Sequence, residues 1–568
     1  MKFGGDFRRQ QRNFFQQTAP SGWYQFNGQY TGNPLADTLL GIPSFSLQDH
    51  LNGIDPTRYW DLAEFVQDDI RLKPNLTLNL GLRYEVSSPA GGRVGDFDLA
   101  RAIVITSQAP NGQSEVPHAG VGFDLTNWAP RLGFAWTVRP KTVVRAGGGI
   151  FYAPEGNIFD DLGLNPPNLV VLSQNFPSSQ VTANQLVSTG FPTQFPVVDP
   201  LDPIGTVRTV AHSARRIPRI YEWNLTIQQE FAQNWLVQIG YVGTKSSNLF
   251  DHESGNLNQP IQPLDTNFSD PTGNEGRPYF DIRPGLTTIL PLDDARLSMF
   301  YNAAQVSAEH RFSHGFNVLA AYTFAKSIGT ADGNVQQCDV QNEHNIAAEK
   351  GPNTPDFRHR LSVSYVYELP YGKGRQFGSS TNPVVNAVLG DWQVAGVTTV
   401  HSGEAFNAEL NGDDTNTGSA NPRPNMIANP KDFSFDVAGQ AALGCSNPGH
   451  QTLDCWFNQA AFTVPGLAPG QSFAHMFGDA ERAVLRGPDL VNFDFSIYKT
   501  FQVTERCGIV FRTELFNLFN HPNFEMPNLG SGGGSSGAGF VNAPGGAAIT
   551  QTIPDAQREI QFGLKVLF

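Results

Sequence analysis

Few stretches of this 568-residue chain have the side chains and spacing that chemistry needs. Cys445 and Cys455 flank a Gly/Asn/Pro-rich run, G-C-S-N-P-G-H-Q-T-L-D-C, which looks like a small loop closed by a disulfide and so points to an oxidising compartment. Two free thiols are the alternative reading. Zinc is disfavoured because the ten-residue spacing matches no common ligand pattern. His310 and His314 in E-H-R-F-S-H would share a zinc ion if they lay on a helix, but here they straddle a hairpin turn. The glycines of R-A-G-G-G-I-F-Y (145–152) are not followed by Lys-Ser/Thr and lie inside a strand-like run, so they suit strand curvature better than a phosphate cradle. Asp413 and Asp414 in N-G-D-D-T-N-T-G offer oxygen ligands for calcium, with a solvated acidic loop as the plainer reading. S-G-G-G-S-S-G-A-G (531–539) reads as flexible loop, and Cys507, beside Ile509 and Phe511, as a small hydrophobe. No Ser/His/Asp or paired-carboxylate arrangement stands out. Distant residues can still converge in the fold, so the expectation that the protein is not an enzyme, with no catalytic, cofactor or metal residues, comes from the class of fold argued below and not from these stretches.

The elements that carry these residues are strands. In L-T-L-N-L-G-L-R-Y-E-V, Leu76, Leu78, Leu80, Leu82, Tyr84 and Val86 take one face while Thr77, Asn79, Gly81, Arg83 and Glu85 take the other. This run follows a Lys73-Pro74-Asn75 turn, and the same design returns as five further pairs. They are 131–138 with 142–152, 221–231 with 235–242, 304–312 with 316–324, 361–369 with 392–400, and 491–501 with 507–519. The chain ends on another alternating run, with Ile560, Phe562, Leu564, Val566 and Phe568 apolar. At about nine to thirteen residues these segments exceed the usual soluble strand and match what a tilted strand needs to cross a bilayer.

Between the pairs lie long Asn/Asp/Gly/Pro-rich stretches near 153–218, 245–299, 327–356, 403–489 and 520–557. A compact soluble domain rarely holds so many, whereas outer-membrane barrels combine short periplasmic turns with long outer loops. Weaker candidates near 2–9, 21–30 and 43–50 bring the tally to about sixteen strands. If the last strand descends to the periplasm, every tight turn falls on the periplasmic side, and residue 2 begins a rising strand. The final strand would then close against the first.

Composition agrees. Aromatics stand at 11%, charged residues at 16%, with 57 Gly and 40 Pro, which suits strands, turns and irregular loops. No run approaches the roughly 18 apolar residues of a spanning helix. The net charge of −14 argues against a nucleic-acid partner. M-K-F-G-G-D-F-R-R contains no apolar stretch of the kind a secretory signal has, so the chain is either cytosolic or a piece of something longer.

In a membrane barrel the apolar face meets lipid and the polar face lines the lumen. The candidate lumen-facing residues are Thr77, Asn79, Arg83, Glu85, Gln228, Glu230, Glu309, Arg311, Arg512 and Glu514. Aromatics near strand ends (Tyr59, Trp60, Tyr84, Tyr152, Tyr241, Phe312, Phe324, Phe501 and Phe568) fit an interfacial girdle. A large two-sheet soluble β protein is the alternative.

Several stretches, in order along nearly the whole chain, resemble the barrel of TonB-dependent outer-membrane receptors of the Oar-like type common in acidobacterial genomes. They are N-P-L-A-D-T-L-L-G (33–41), F-V-Q-D-D-I-R-L-K-P-N-L-T-L-N-L-G-L-R-Y-E (65–85), W-A-P-R-L-G-F-A-W (128–136), D-F-R-H-R-L-S-V-S-Y-V-Y-E-L-P-Y-G-K-G (356–374), C-W-F-N-Q-A-A-F (455–462) and F-R-T-E-L-F-N-L-F-N-H-P-N-F (511–524).

The resemblance implies an all-β, transmembrane antiparallel barrel, with residues 1–568 supplying about 16 strands of the 22 that the full-length family has. Signal peptide, plug and N-terminal regulatory-like domain are expected to be missing, with Met1 an internal start. It also implies a place in the outer membrane of a Gram-negative bacterium. The partners it implies are membrane lipid, TonB acting through the plug of a full-length form, an unidentified extracellular ligand, and the barrel-assembly machinery reading Phe568. The expected function is TonB-driven uptake, for which this fragment alone would not be competent. A porin-like or adhesive barrel without energy coupling is the rival.

Overall fold

The computed structural model describes all residues outside 15–16, 18, 52–54, 90, 92–94, 107–116, 154–157, 176–185, 192–197, 211–215, 232–233, 251–254, 262–275, 293–294, 332–339, 355, 380–381, 411–416, 418–421, 467–475, 505–506, 528–538 and 555. Its main element is a 15-stranded sheet: fourteen long strands plus the two-residue Gly351–Pro352. The long strands are β1 (Lys2–Phe14), β2 (Asp55–Lys73), β3 (Leu76–Ser87), β4 (Trp128–Arg139), β5 (Thr142–Tyr152), β6 (Arg219–Glu230) and β7 (Trp235–Leu249). They continue as β8 (Leu297–Ser313), β9 (Phe316–Gly329), β10 (His359–Glu368), β11 (Gln393–His401), β12 (Leu490–Thr504), β13 (Cys507–Phe516) and β14 (Glu559–Leu567). Each pairs antiparallel with its sequence neighbours, so the wall is an up-and-down meander.

An antiparallel meander puts successive connections at alternating ends. Five tight links (β2–β3, β4–β5, β6–β7, β8–β9, β12–β13) and the longer 369–392 share one end, and seven long connections share the other. The β8–β9 link shows how sequence makes such a turn. Ser313 pairs with Phe316, and His314 (φ 51°) and Gly315 (φ 77°) between them take the two positive φ values that a two-residue turn needs to match strand twist.

Two of the expected wall strands lie elsewhere. Trp23–Gln25 and Phe45–Leu51 pair with each other, and Phe45–Leu51 with Leu169–Asn175, in a separate three-stranded sheet. Leu51 is buried there against Leu164 and Leu169, so this sheet packs on a dry cluster where a wall strand keeps both faces open. Among the described residues the wall therefore has fourteen long strands where about sixteen were expected. The expected closure of the last strand on the first is also not formed. Among the described residues β14 pairs only with β13 and β1 only with β2, which leaves two edges apart. A sheet closes only where twist and stagger bring its edges into register.

The hydrophobic clusters sit mostly outside the wall. Phe97, Val104, Val207, Leu286 and Ile289 form one; Leu162, Val210, Phe250 and Leu292 another; Phe406, Leu410, Phe457, Phe462, Leu485 and Val541 the largest. All lie in the long connections or, as Phe250 does, one residue past a strand end. Short strands such as Gly95–Asp98 with Ile103–Thr106 knit these connections into folded units. The wall's aliphatic row is instead exposed, with Leu80 and Leu82 each at 40% and Phe562 at 71%.

Candidate functional site

The pairing register decides which wall residues share a face. Asn79 lies opposite Asp69 and Gly133, Gly133 opposite Gly147, and Gly147 opposite Asn224. The row continues through Val242, Ala303 and Ala325. Two residues along, Gln305 faces Thr323, Thr323 faces Arg360 and Arg360 faces His401. On the last strands Ser496 faces Glu514, and Glu514 faces Gln561. Extended by alternation, this register puts Thr77, Asn79, Arg83, Glu85, Gln228, Glu230, Glu309, Arg311, Arg512 and Glu514 on one face of the sheet. Leu80, Leu132, Trp223, Tyr241 and Ile560 take the other. Of the proposed girdle residues, Tyr59 departs: it lies on the polar face, where its hydroxyl donates to Gln10 Oε1 at 2.8 Å.

The polar face satisfies itself locally. Asn79 Nδ2 donates to Asp69 Oδ1 (2.6 Å), and Gln228 Nε2 to Gln238 Oε1 (2.7 Å). Arg512 pairs with Glu514 at 2.7 Å, and Lys141 with Glu230 at 3.4 Å. Arg311 lies 3.9 Å from Glu309, and Arg83 pairs with Glu85 on its own strand. Thr77 sits level with Arg71 and Ala135. These are solvated surface pairs rather than a packed charge cluster, so the face offers a wet, donor- and acceptor-rich wall.

Beyond the open end of the wall, connections 330–358 and 402–489 are locked by buried ion pairs. Arg423 grips Glu349 with two nitrogens (2.5 and 3.2 Å), both side chains almost fully buried. Arg486 holds Asp356 at 2.6 Å. Arg482 Nη2 donates to the carbonyls of Gly329 and Ala331 and to Asn353 Oδ1. Sequence reasoning missed these residues. Arg423 and Glu349 are 74 positions apart, and nothing local marks either as buried.

The structure joins Cys445 to Cys455 in a disulfide with Cα atoms 5.3 Å apart. Inside that loop Asp454 accepts from the Ser446 N–H and the Thr452 hydroxyl, both at 2.6 Å, which holds its carboxyl far below the usual range. In connection 88–127, burial pushes the Asp96 carboxyl up to about 8 although it accepts from the Val210 N–H. Asp124 shows the opposite balance: burial works to raise it, but the Thr126 hydroxyl and N–H, the Ile217 N–H and Arg216 together hold it low.

His310 lies in β8, near the Phe316 carbonyl and Ser313 hydroxyl, while His314 occupies the turn. Gly147–Gly149 lie within β5. Asp413 and Asp414 fall outside the described residues. Among the described residues no three His, Cys, Asp or Glu side chains gather closely enough to hold a metal.

A family model described as an outer membrane beta barrel domain matches residues 1–561. The chain belongs to that family. For an outer-membrane β-barrel domain, strands with one exposed aliphatic row are the spanning elements, and no helix among the described residues is long and apolar enough to cross. No curated protein matches it. Among solved structures it is similar to the FrpB iron transporter from Neisseria meningitidis (10% identity, TM-score 0.42, covering 100% of this chain and 52% of that one). It is also similar to the ferric yersiniabactin uptake receptor FyuA from Yersinia pestis (11%, 0.39, 92% and 47%). A third is the ferripyoverdine receptor of Pseudomonas aeruginosa (9%, 0.40, 92% and 44%). The domain thus spans about half the length of these chains or less.

Proposed function

We propose that this domain is the wall of a TonB-dependent, Oar-like receptor in the outer membrane of a Gram-negative bacterium. In this reading the long connections select an extracellular ligand, and the polar face lines the path it takes inward. The domain binds and conducts its ligand without altering it chemically. The observation that supports this best is the asymmetry of the meander, with tight turns at one end and seven long, folded connections at the other. Thr77, Asn79, Arg83, Glu85, Gln228, Glu230, Glu309, Arg311, Arg512 and Glu514 would face the lumen, there to meet solute or a TonB-coupled plug. Phe568 would be the residue met by the barrel-assembly machinery. Siderophore, oligosaccharide and peptide all suit such a wall.

The test is uptake by the native cell of a panel of these three ligand classes, with the gene or TonB deleted. Loss of one ligand's uptake on either deletion supports the reading. Uptake that needs the gene but not TonB, and that falls only with solute size, supports a porin-like wall in its place.

A further inference from the structure

On the face that carries Leu80 and Leu132, the upper ends of β7 and β9 hold two lysines, Lys245 and Lys326. Both are exposed, and among the described residues neither ammonium has an acidic or hydrogen-bonding partner. They flank an aromatic floor. The Trp223 indole lies flat across Gly243, where a Cβ would come within 2.3 Å of the ring, and meets Phe300 at 6.0 Å between centroids. Lys245 sits opposite Phe300, and Lys326 opposite Asn302, whose side chain accepts from the Tyr241 hydroxyl.

Their height is informative. Lys245 lies ten residues above Trp235, the first residue of β7, and Lys326 ten residues above Phe316, the first of β9. Trp235 and Phe316 share the lysines' face. Ten residues of strand at about 3.3 Å each, tilted about 40°, rise about 25 Å along the membrane normal. That equals the height of the apolar band of an outer-membrane barrel, about 25 Å. With Trp235 and Phe316 at the inner boundary, both ammonium groups therefore stand at the outer one, where lipid headgroups begin. The two backbones are about 12 Å apart, two strands across and two residues along, so two extended lysine side chains can converge between them.

We propose that Lys245 and Lys326 bind the phosphate of an outer-leaflet lipid whose acyl chains run down over Trp223 and Phe300. This rests on the membrane-spanning reading above. Two unpaired cations complement a phosphate, and the aromatic floor is continuous with the lipid-facing aliphatic row, so headgroup and chains meet matching surfaces in one direction.

The test uses the full chain refolded into phosphatidylcholine bilayers, with insertion checked first by protease protection. Retention of bisphosphorylated lipid A is then measured by native mass spectrometry, and dephosphorylated lipid A is measured alongside. The double variant Lys245→Gln/Lys326→Gln is expected to retain the bisphosphorylated form roughly 10- to 30-fold less than the parent. Both proteins should hold the dephosphorylated form equally weakly. A control pair at the tight-turn end of the wall, Lys73→Gln/Lys141→Gln, should retain as the parent does, and millimolar inorganic phosphate should not displace the lipid. Equal retention by parent and double variant, or of the two lipid forms by the parent, would overturn the lipid site alone. Displacement by inorganic phosphate would replace the lipid with a free anion. A chain that does not insert would overturn the membrane reading and this site together.

Discussion

The wall and its long connections use the same apolar residue types in opposite ways. Leu80 in β3 leaves 40% of its surface exposed and Phe562 in β14 leaves 71%, whereas Leu162 and Phe406 in the connections leave 1% each. One chain carries two solvent codes. The connections fold as a water-soluble protein does, with aliphatic and aromatic side chains gathered inward and buried carboxylates held by arginine. The wall turns its aliphatic row out, which is favourable only where the surrounding medium is hydrocarbon.

The difference can be broken most severely in the connections. Phe406→Ala should open the unit around Ala405–Phe406 and Leu485–Arg486 by about 3–5 kcal/mol, the cost of a large cavity in a dry cluster. Hydrogen exchange should show this locally, with protection of β3 and β4 unchanged; a loss shared by the wall would mean that the two regions fold as one.

Next in size is a charge placed on each face of β3. Leu80→Arg should cost about 2–4 kcal/mol in equilibrium folding into vesicles, and Asn79→Arg far less. Replacing Cys445 and Cys455 by Ser follows, at about 2–3 kcal/mol for a loop this short, confined to the unit they close and read by its proteolysis rate.

The most gradual effect, small at each step, is a pH slope. Folded, Asp96 keeps its proton up to about pH 8, whereas unfolded it loses it near its ordinary value of about 4. Between these values the folded state binds the extra proton. The stabilisation is therefore complete below about pH 4 and is lost as pH rises toward 8, at about 1 kcal/mol per unit. Asp96→Asn should flatten that slope in the exchange rates of 95–98 and 205–210.

Much of the wall was legible because its signal is local. Alternation in Leu76–Val86 and a turn such as Ser313-His314-Gly315 are each written within one hairpin. Trp23–Gln25 and Phe45–Leu51 misled because a short run's strand character does not reveal what it packs on; Leu164 and Leu169, more than a hundred residues away, decide that. The Glu349–Arg423 and Asp356–Arg486 pairs were illegible for the same reason. Tyr59 shows a smaller limit. An aromatic near a strand end marks a height in the wall, while the choice of face is set by register with Gln10 on β1.

The claim beneath all of this is that the aliphatic face of the wall meets hydrocarbon. Spin labels placed singly at Leu78, Asn79, Leu80, Gly81, Leu82 and Arg83, in the chain inserted in bilayers, test it most directly. The account predicts period-two alternation, with labels at Leu78, Leu80 and Leu82 relaxed by oxygen and those at Asn79, Gly81 and Arg83 by a water-soluble nickel chelate. Alternation in the reverse phase, or nickel access at all six positions, would contradict it.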